Sequence, residues 1–334
     1  MTPRRLRRLL ALGLRRGRAP RGRSGRALPA LARQPYPSKP IKVRRLLAAG
    51  SAIDQVSARA FTAKMAESMN ATFVVDNKPG ANGMLGADAV AKAPADGYTI
   101  LVGTNSTNAA LKSLMKKLLH DQDTAFAPVG YPGLVPLIVA VNNDDVPAKT
   151  LRELVDMAKA KPGTVTFASA STSQLVSSEM LASMAGVQMN NIPYKSGPAA
   201  TTDLIAGQVM MFTADFAVML PQVQAGKVRG LAVTSTKRSA AAPNLPTVNE
   251  ALGLKDYELI AYFAVFAPAG TPADIIAKLN QAINAAAQSK DIQEKFASLG
   301  FVVDAGTPEA LAQRNKLETA KWAKAIRDAK IEPQ

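Results

Sequence analysis

Gly97-Tyr98-Thr99-Ile100-Leu101-Val102-Gly103-Thr104-Asn105-Ser106-Thr107-Asn108 reads as a buried strand that empties into a polar turn. Residues 98–103 carry no charge and run apolar, aromatic or β-branched without alternation, as expected of a strand covered on both faces. The hydroxyl and amide residues that follow expose backbone donors without blocking approach. The same pattern recurs outward in both directions. Short apolar runs predict strands at 72–76, 136–141, 164–168, 208–212, 229–234 and 262–267. Between them, helical spacing predicts helices at 54–69, 84–92, 150–160, 173–185, 199–206, 272–289 and 308–329. Thr271-Pro272 and Thr307-Pro308 each read as an N-cap followed by the first helical residue. Strands alternating with helices predict an α/β protein with parallel sheets covered on both faces.

In such folds ligands sit where strand C-termini become helix N-termini, because free N–H groups and the helix dipole favour an anion there. Four turns fit. Ala49-Gly50-Ser51-Ala52-Ile53-Asp54 leads into the first helix, and Thr104, Asn105 and Ser106 follow the strand quoted above. Ser169-Ala170-Ser171-Thr172-Ser173 follows the strand at 164–168, and Tyr194-Lys195-Ser196-Gly197 precedes the helix at 199–206.

The chain has 334 residues, enough for about two domains, and 47% of them are hydrophobic, enough for real cores. No uncharged apolar run approaches the roughly 18 residues of a membrane span. With no cysteine and a single histidine, His120, the chain has no thiolate nucleophile, no disulfide and no multi-histidine metal site. The net charge of +16 suggests nucleic acid only until its location is examined. Of 41 basic residues, eleven are arginines that precede Tyr36 with no acid among them, leaving 30 against 25 acids in the body. Residues 1–32 therefore read as a basic leader: Arg4 to Arg8 supply a basic start, Leu9 to Leu14 a short apolar stretch, and Ala30-Leu31-Ala32 a cleavage site. The nearly balanced body implies no nucleic-acid partner.

Catalytic signatures are missing. There is no G-x-S-x-G elbow, P-loop or H-E-x-x-H, and Gly80, Gly83 and Gly86 lack the dinucleotide spacing and read as structural. His120, in a polar segment, reads as a surface residue. No paired carboxylate accompanies Asp54. The residues imply no enzyme, no metal and no cofactor.

From Tyr36 to about Ile331 the chain resembles the Bug-type substrate-binding proteins of tripartite tricarboxylate transporters. The resemblance is carried by Tyr36-Pro37-Ser38-Lys39-Pro40-Ile41, Asp76-Asn77-Lys78-Pro79-Gly80-Ala81-Asn82-Gly83, Ala91-Lys92-Ala93-Pro94-Ala95-Asp96-Gly97-Tyr98-Thr99, Ile192-Pro193-Tyr194-Lys195 and Asp203-Leu204-Ile205-Ala206-Gly207-Gln208-Val209. Gly103-Thr104-Asn105, Ala225-Gly226-Lys227-Val228-Arg229 and Ala267-Pro268-Ala269-Gly270-Thr271-Pro272 complete it. It implies an α/β, two-lobed periplasmic binding protein of type II fold, each lobe a sheet flanked by helices, with the ligand cleft between. The expected lobes are 36–133 plus 258–334, and 134–257. It also implies a monomeric periplasmic receptor that binds a small carboxylate and meets the membrane components of a tripartite transporter.

Carried over by position, the ligand-binding residues are Gly50, Ser51, Ala52, Asp54, Thr104, Asn105, Ser106, Tyr194, Lys195 and Asp215; Ser169, Ser171 and Thr172 join them from the composition of the third turn. Two departures stand out. The third turn is shorter than in the family, with Gln174 at its histidine position, and Arg44-Arg45 falls in a first strand, 41–47, that should be apolar. Two unpaired guanidinium groups buried there would each cost several kcal/mol, so either the strand is distorted or the sequence is altered at this point. A ligand-sensing module without a transport role is the alternative, weakened by the Gly- and Pro-rich stretch before Tyr36, which does not build a helix-turn-helix.

Overall fold

The computed structural model describes residues 35–46, 59–78 and 83–333. The leader, Gly50, Ser51, Ala52 and Asp54 of the first turn, and Pro79 to Asn82 lie outside the described residues. Residues 36–334 form one contact unit.

The strands are β1 (Ile41–Arg45), β2 (Phe73–Asn77), β3 (Thr99–Thr104), β4 (Phe126–Asn142), β5 (Thr166–Ser169), β6 (Asn190–Pro193), β7 (Met211–Asp215), β8 (Val228–Val233), β9 (Ile260–Pro268) and β10 (Val302–Val303). The first six helices are α1 (Phe61–Met69), α2 (Met84–Ala91), α3 (Leu111–Leu114), α4 (Leu151–Ala160), α5 (Thr172–Ala185) and α6 (Gly197–Ile205). They are followed by α7 (Phe216–Gln224), α8 (Val248–Leu252), α9 (Ala273–Gln288), α10 (Lys290–Ser298) and α11 (Pro308–Asp328). A π-helical segment, Ser106–Ala110, runs directly into α3.

The strands join in the order β2-β1-β3-β9-β4-β7-β5-β6, with β8 and β10 also pairing β4. Parallel pairing holds for β2-β1-β3 and for β7-β5-β6, whereas β9 and β4 run antiparallel to their neighbours. The sheet is thus mixed rather than parallel throughout. The long strand β4 makes it so: its first part pairs β9 as far as Pro136, and from Leu137 its partners are β7 and β8.

Both faces are covered, as the unbroken apolar runs require. Along β4, Ile138 and Ala140 face one buried cluster with Phe212, Ala214 and Phe216, while Val139 and Val141 face another with Leu154, Phe167 and Tyr257. This is the two-residue alternation of a strand packed on both sides. At the other half, Phe61, Phe263, Phe296, Phe301 and Trp322 form the centre of a third cluster.

The first strand is regular, correcting the expected distortion. Arg44 lies opposite Asp76 in the β1–β2 register and forms an ion pair with it, so that charge is not unpaired. Arg45 is buried on the side of Ile41 and Val43. His120 also differs from expectation: its side chain is only 5% exposed and its ring meets Phe126 edge-on, 5.2 Å between centroids. Burial holds its pKa below the ordinary value, against the pull of Asp88. Thr307 caps α11 as predicted, accepting from the Ala310 N–H, with Pro308 at the first position. Thr271 does not cap α9, because its hydroxyl donates to the Pro268 carbonyl at 2.7 Å and Pro272 holds the cap position.

Candidate functional site

Three neighbouring parallel strands, β6, β5 and β7, end on one edge of the sheet, and each leads into a helix. Ser169 is the last residue of β5, Tyr194 follows β6, and Asp215 closes β7. The edge is fastened by its own backbone, since the Tyr194 N–H donates to the Ser169 carbonyl at 2.7 Å. The topology thus brings together Ser169, Ser171, Thr172, Tyr194, Lys195 and Asp215. Helices α5, α6 and α7 all start here, and the first N–H groups of a helix have no partners within it.

The side chains along this edge are differently engaged. Ser169 is buried and donates its hydroxyl to Asn191 Oδ1 at 2.7 Å. Ser171 stands at the N-cap of α5, its hydroxyl 3.1 Å from that of Ser173, and Thr172 opens the helix half-buried. Gln174 turns back so that its Oε1 accepts the Ala170 N–H at 2.8 Å. One of the backbone donors expected to face a ligand is therefore used inside the turn. Tyr194 packs its ring against the cluster of Phe212 and Phe216, and its hydroxyl is raised above the usual phenol range, first by burial and then by Asp203. Lys195 is exposed, and Ser196 caps α6 through the Ala199 N–H.

Asp215 has the most unusual environment. It is 8% exposed, it occupies the N-cap position of α7 without capping it, and its Oδ1 has no donor among the described residues. Burial pushes its pKa up from 3.8 to about 6. In the strand register Asp215 lies opposite Leu137, the residue at which β4 changes partners.

Thr104, Asn105 and Ser106 stand at the end of β3, separated from the first group by β9 and β4. Helix α5 reaches across to touch the 106–110 segment, and Val176 and Ala217, near the starts of α5 and α7, share a buried cluster with Val102 and Phe263. This second turn is largely satisfied internally. The Thr104 N–H donates to Thr107 Oγ1 at 2.9 Å, and the Thr107 hydroxyl lies near both the Thr104 carbonyl and Asn108 Oδ1. A side chain at Gly103 would collide with the Asn108 amide, which would have to move. Asn105 is fully buried and bonded to Ile260 and to Glu318 on α11. Sequence reasoning missed Glu318, which lies 213 residues away in the chain, inside a helix with no local motif to mark it. Ser106 is half-buried at the start of the π-helical segment.

Among the described residues no group of acids and histidine could hold a metal, and no helix is long and apolar enough to cross a membrane.

Residues 57–331 match the family described as Tripartite tricarboxylate transporter family receptor. A UPF0065 protein from the tcbD-tcbE intergenic region of Pseudomonas sp. (strain P51) is 37% identical over 294 residues, covering 87% of this chain and 86% of that protein. Protein BugT of Bordetella pertussis is 36% identical over 296 residues, covering 88% and 90%. Among solved structures, R. palustris Rpa4515 with adipate superposes with a TM-score of 0.83 at 30% identity, covering 90% of this chain and all of that one. MatC from Rhodopseudomonas palustris with bound malate gives a TM-score of 0.78 at 29% identity, covering 87% of this chain and 100% of that one.

Proposed function

Because this chain belongs to the tripartite tricarboxylate transporter receptor family, we propose that it is a periplasmic receptor that holds a small carboxylate between two lobes and delivers it to membrane subunits of such a transporter. The lobes are residues 36–133 plus 258–334 and residues 134–257, with β4 running through both. The observation that carries this reading is the convergence of the N-termini of α5, α6 and α7 on one sheet edge, with the end of β3 across β9 and β4 and α5 touching the segment that follows it. Each N-terminus carries about half a positive charge and first-turn N–H groups without partners inside the helix, suited to an anion. Binding through such groups needs no arginine clamp.

Asp215 refines the ligand class. The buried Asp215 Oδ1, without a donor among the described residues, disfavours a ligand carboxylate beside it and favours a hydroxyl, amine or amide, which supplies the missing hydrogen bond. The ligand is then a hydroxy or amino acid, contacted by Ser171, Thr172, Tyr194 and Lys195 on one lobe and by Thr104 and Ser106 on the other, with Gly50, Ser51, Ala52 and Asp54 completing the first lobe's share.

A melting-temperature screen against organic and amino acids tests this. A ligand at about 100 times its dissociation constant adds roughly 2.7 kcal/mol to stability, so malate and related hydroxy acids should raise the melting temperature by several degrees and more than adipate does. A screen in which no acid raises it would contradict the reading.

A further inference from the structure

The amide of Asn105 has no freedom of orientation. Its Nδ2 faces the Ile260 carbonyl at 2.7 Å and Glu318 Oε2 at 3.4 Å, and a backbone carbonyl can only accept. The NH2 end must therefore point at both, and Oδ1 the other way. That Oδ1 is buried and has no donor among the described residues.

Glu318 is itself held. Its Oε2 also accepts from the buried Trp322 Nε1 at 2.9 Å, and its Oε1 lies 3.3 Å from Lys321 Nζ, which pairs in turn with Glu258 at 2.8 Å. With Lys321 and Arg314 it lines a surface cavity of about 470 Å³, so its charge keeps both a counter-ion and partial access to water. A residue of the C-terminal helix thus reaches through to the turn between β3 and the π-helical segment.

We propose that Glu318 is a positioning residue for the candidate carboxylate site: it fixes the Asn105 amide and, through it, the turn at 104–106, so that helix α11 sets one wall of the site. The link to binding rests on the function proposed above; the positioning itself does not. Without the Glu318 acceptor the Asn105 amide loses one of its two anchors, and the backbone it carries gains a second arrangement. Trp322 shares the same oxygen, so a purely structural role for Glu318 would act through Trp322 on the core instead.

The test is hydrogen exchange of the full chain, without ligand, in three variants. Glu318→Leu should speed exchange over residues 104–110 by at least about tenfold and leave β5, β6 and β7 unchanged. Glu318→Gln, which keeps an oxygen for Asn105 and Trp322, should restore the wild-type pattern, and Trp322→Phe should leave 104–110 protected. Calorimetry with malate should show binding weakened by at least about tenfold in Glu318→Leu and within about twofold of wild type in Glu318→Gln. Unchanged exchange over 104–110 in Glu318→Leu, an equal increase everywhere, or failure of Glu318→Gln to rescue would overturn the proposal. Should Glu318→Leu not fold, Asn105→Asp decides: its protection over 104–110, corrected for intrinsic rates, should hold at about pH 4, where the new acid carries a proton, and fail at about pH 7. Equal protection at both pH values would overturn it. If malate fails to bind the wild type, the malate-type ligand assignment is what falls, and the exchange arm still decides this one.

Discussion

At pH 7, Asp215→Asn should stabilise the folded chain by up to about 3 kcal/mol, and at about pH 4 by almost nothing. Asp215 is buried at the end of β7 with Oδ1 lacking a donor, and burial raises its pKa from 3.8 to about 6. Folding therefore favours the protonated acid. Below the unfolded value both states are protonated and the group costs nothing. Stability falls as pH rises from about 4 to about 6, and above that the folded state holds an unfavourable buried charge. The displacement from 3.8 to about 6 corresponds to about 3 kcal/mol. The amide has nearly the same shape and no charge to desolvate. Chemical denaturation of both proteins at the two pH values measures this, and the same difference at both would show that Asp215 is not a buried charge. The cost is expected in binding: an amide can turn either its donor or its acceptor toward the ligand and no longer singles out a hydroxyl, so adipate, which has none, should gain on malate.

Phe263→Ala should destabilise the protein by about 3–5 kcal/mol, the usual range for removing a buried phenylalanine ring. Phe263 is 3% exposed on β9, and its ring centroid lies 6.2 Å from Phe61, 6.1 Å from Phe296 and 5.8 Å from Phe301. These neighbours come from α1, α10 and the loop before β10, so no local shift can fill the space. Against a typical total of 5–15 kcal/mol this is a large fraction. Urea unfolding should show a lower midpoint with an unchanged slope, and a loss below about 1.5 kcal/mol would mean that the cluster repacks.

What the sequence made legible follows from how local its causes are. Apolar runs such as Ile100-Leu101-Val102 and caps such as Thr307-Pro308 act within a few residues, and they placed seven strands and most helices. The first part of β4 was hidden because Pro128, Gly130, Pro132 and Gly133 read as breakers. The strand passes them by shifting register at Gly130 and Gly133, and Gly133 leaves room for the Val302 carbonyl of β10. Helix α7 was hidden by Pro221 in its second turn. The antiparallel runs of β9 and β4 depend on contacts far apart in the chain and have no local signal. The candidate site divides the same way. Turn composition picked out Ser171, Thr172 and the 104–106 turn, and the family resemblance supplied Asp215. The internal use of the Ala170 and Thr104 N–H groups, and the reach of Glu318 to Asn105, depend on side chains arranged in three dimensions.

One ligand carboxylate should be held jointly by the end of β3 and the shared edge of β5, β6 and β7. A crystal structure of the protein with malate tests it most directly. Malate should lie between the two groups, one of its two carboxylates at the helix N-termini of α5 to α7 and its hydroxyl toward Asp215, with Thr104 or Ser106 closing the other side. Malate seated instead in the surface cavity beside Arg314 and Lys321, or touching only one of the two groups, would contradict it.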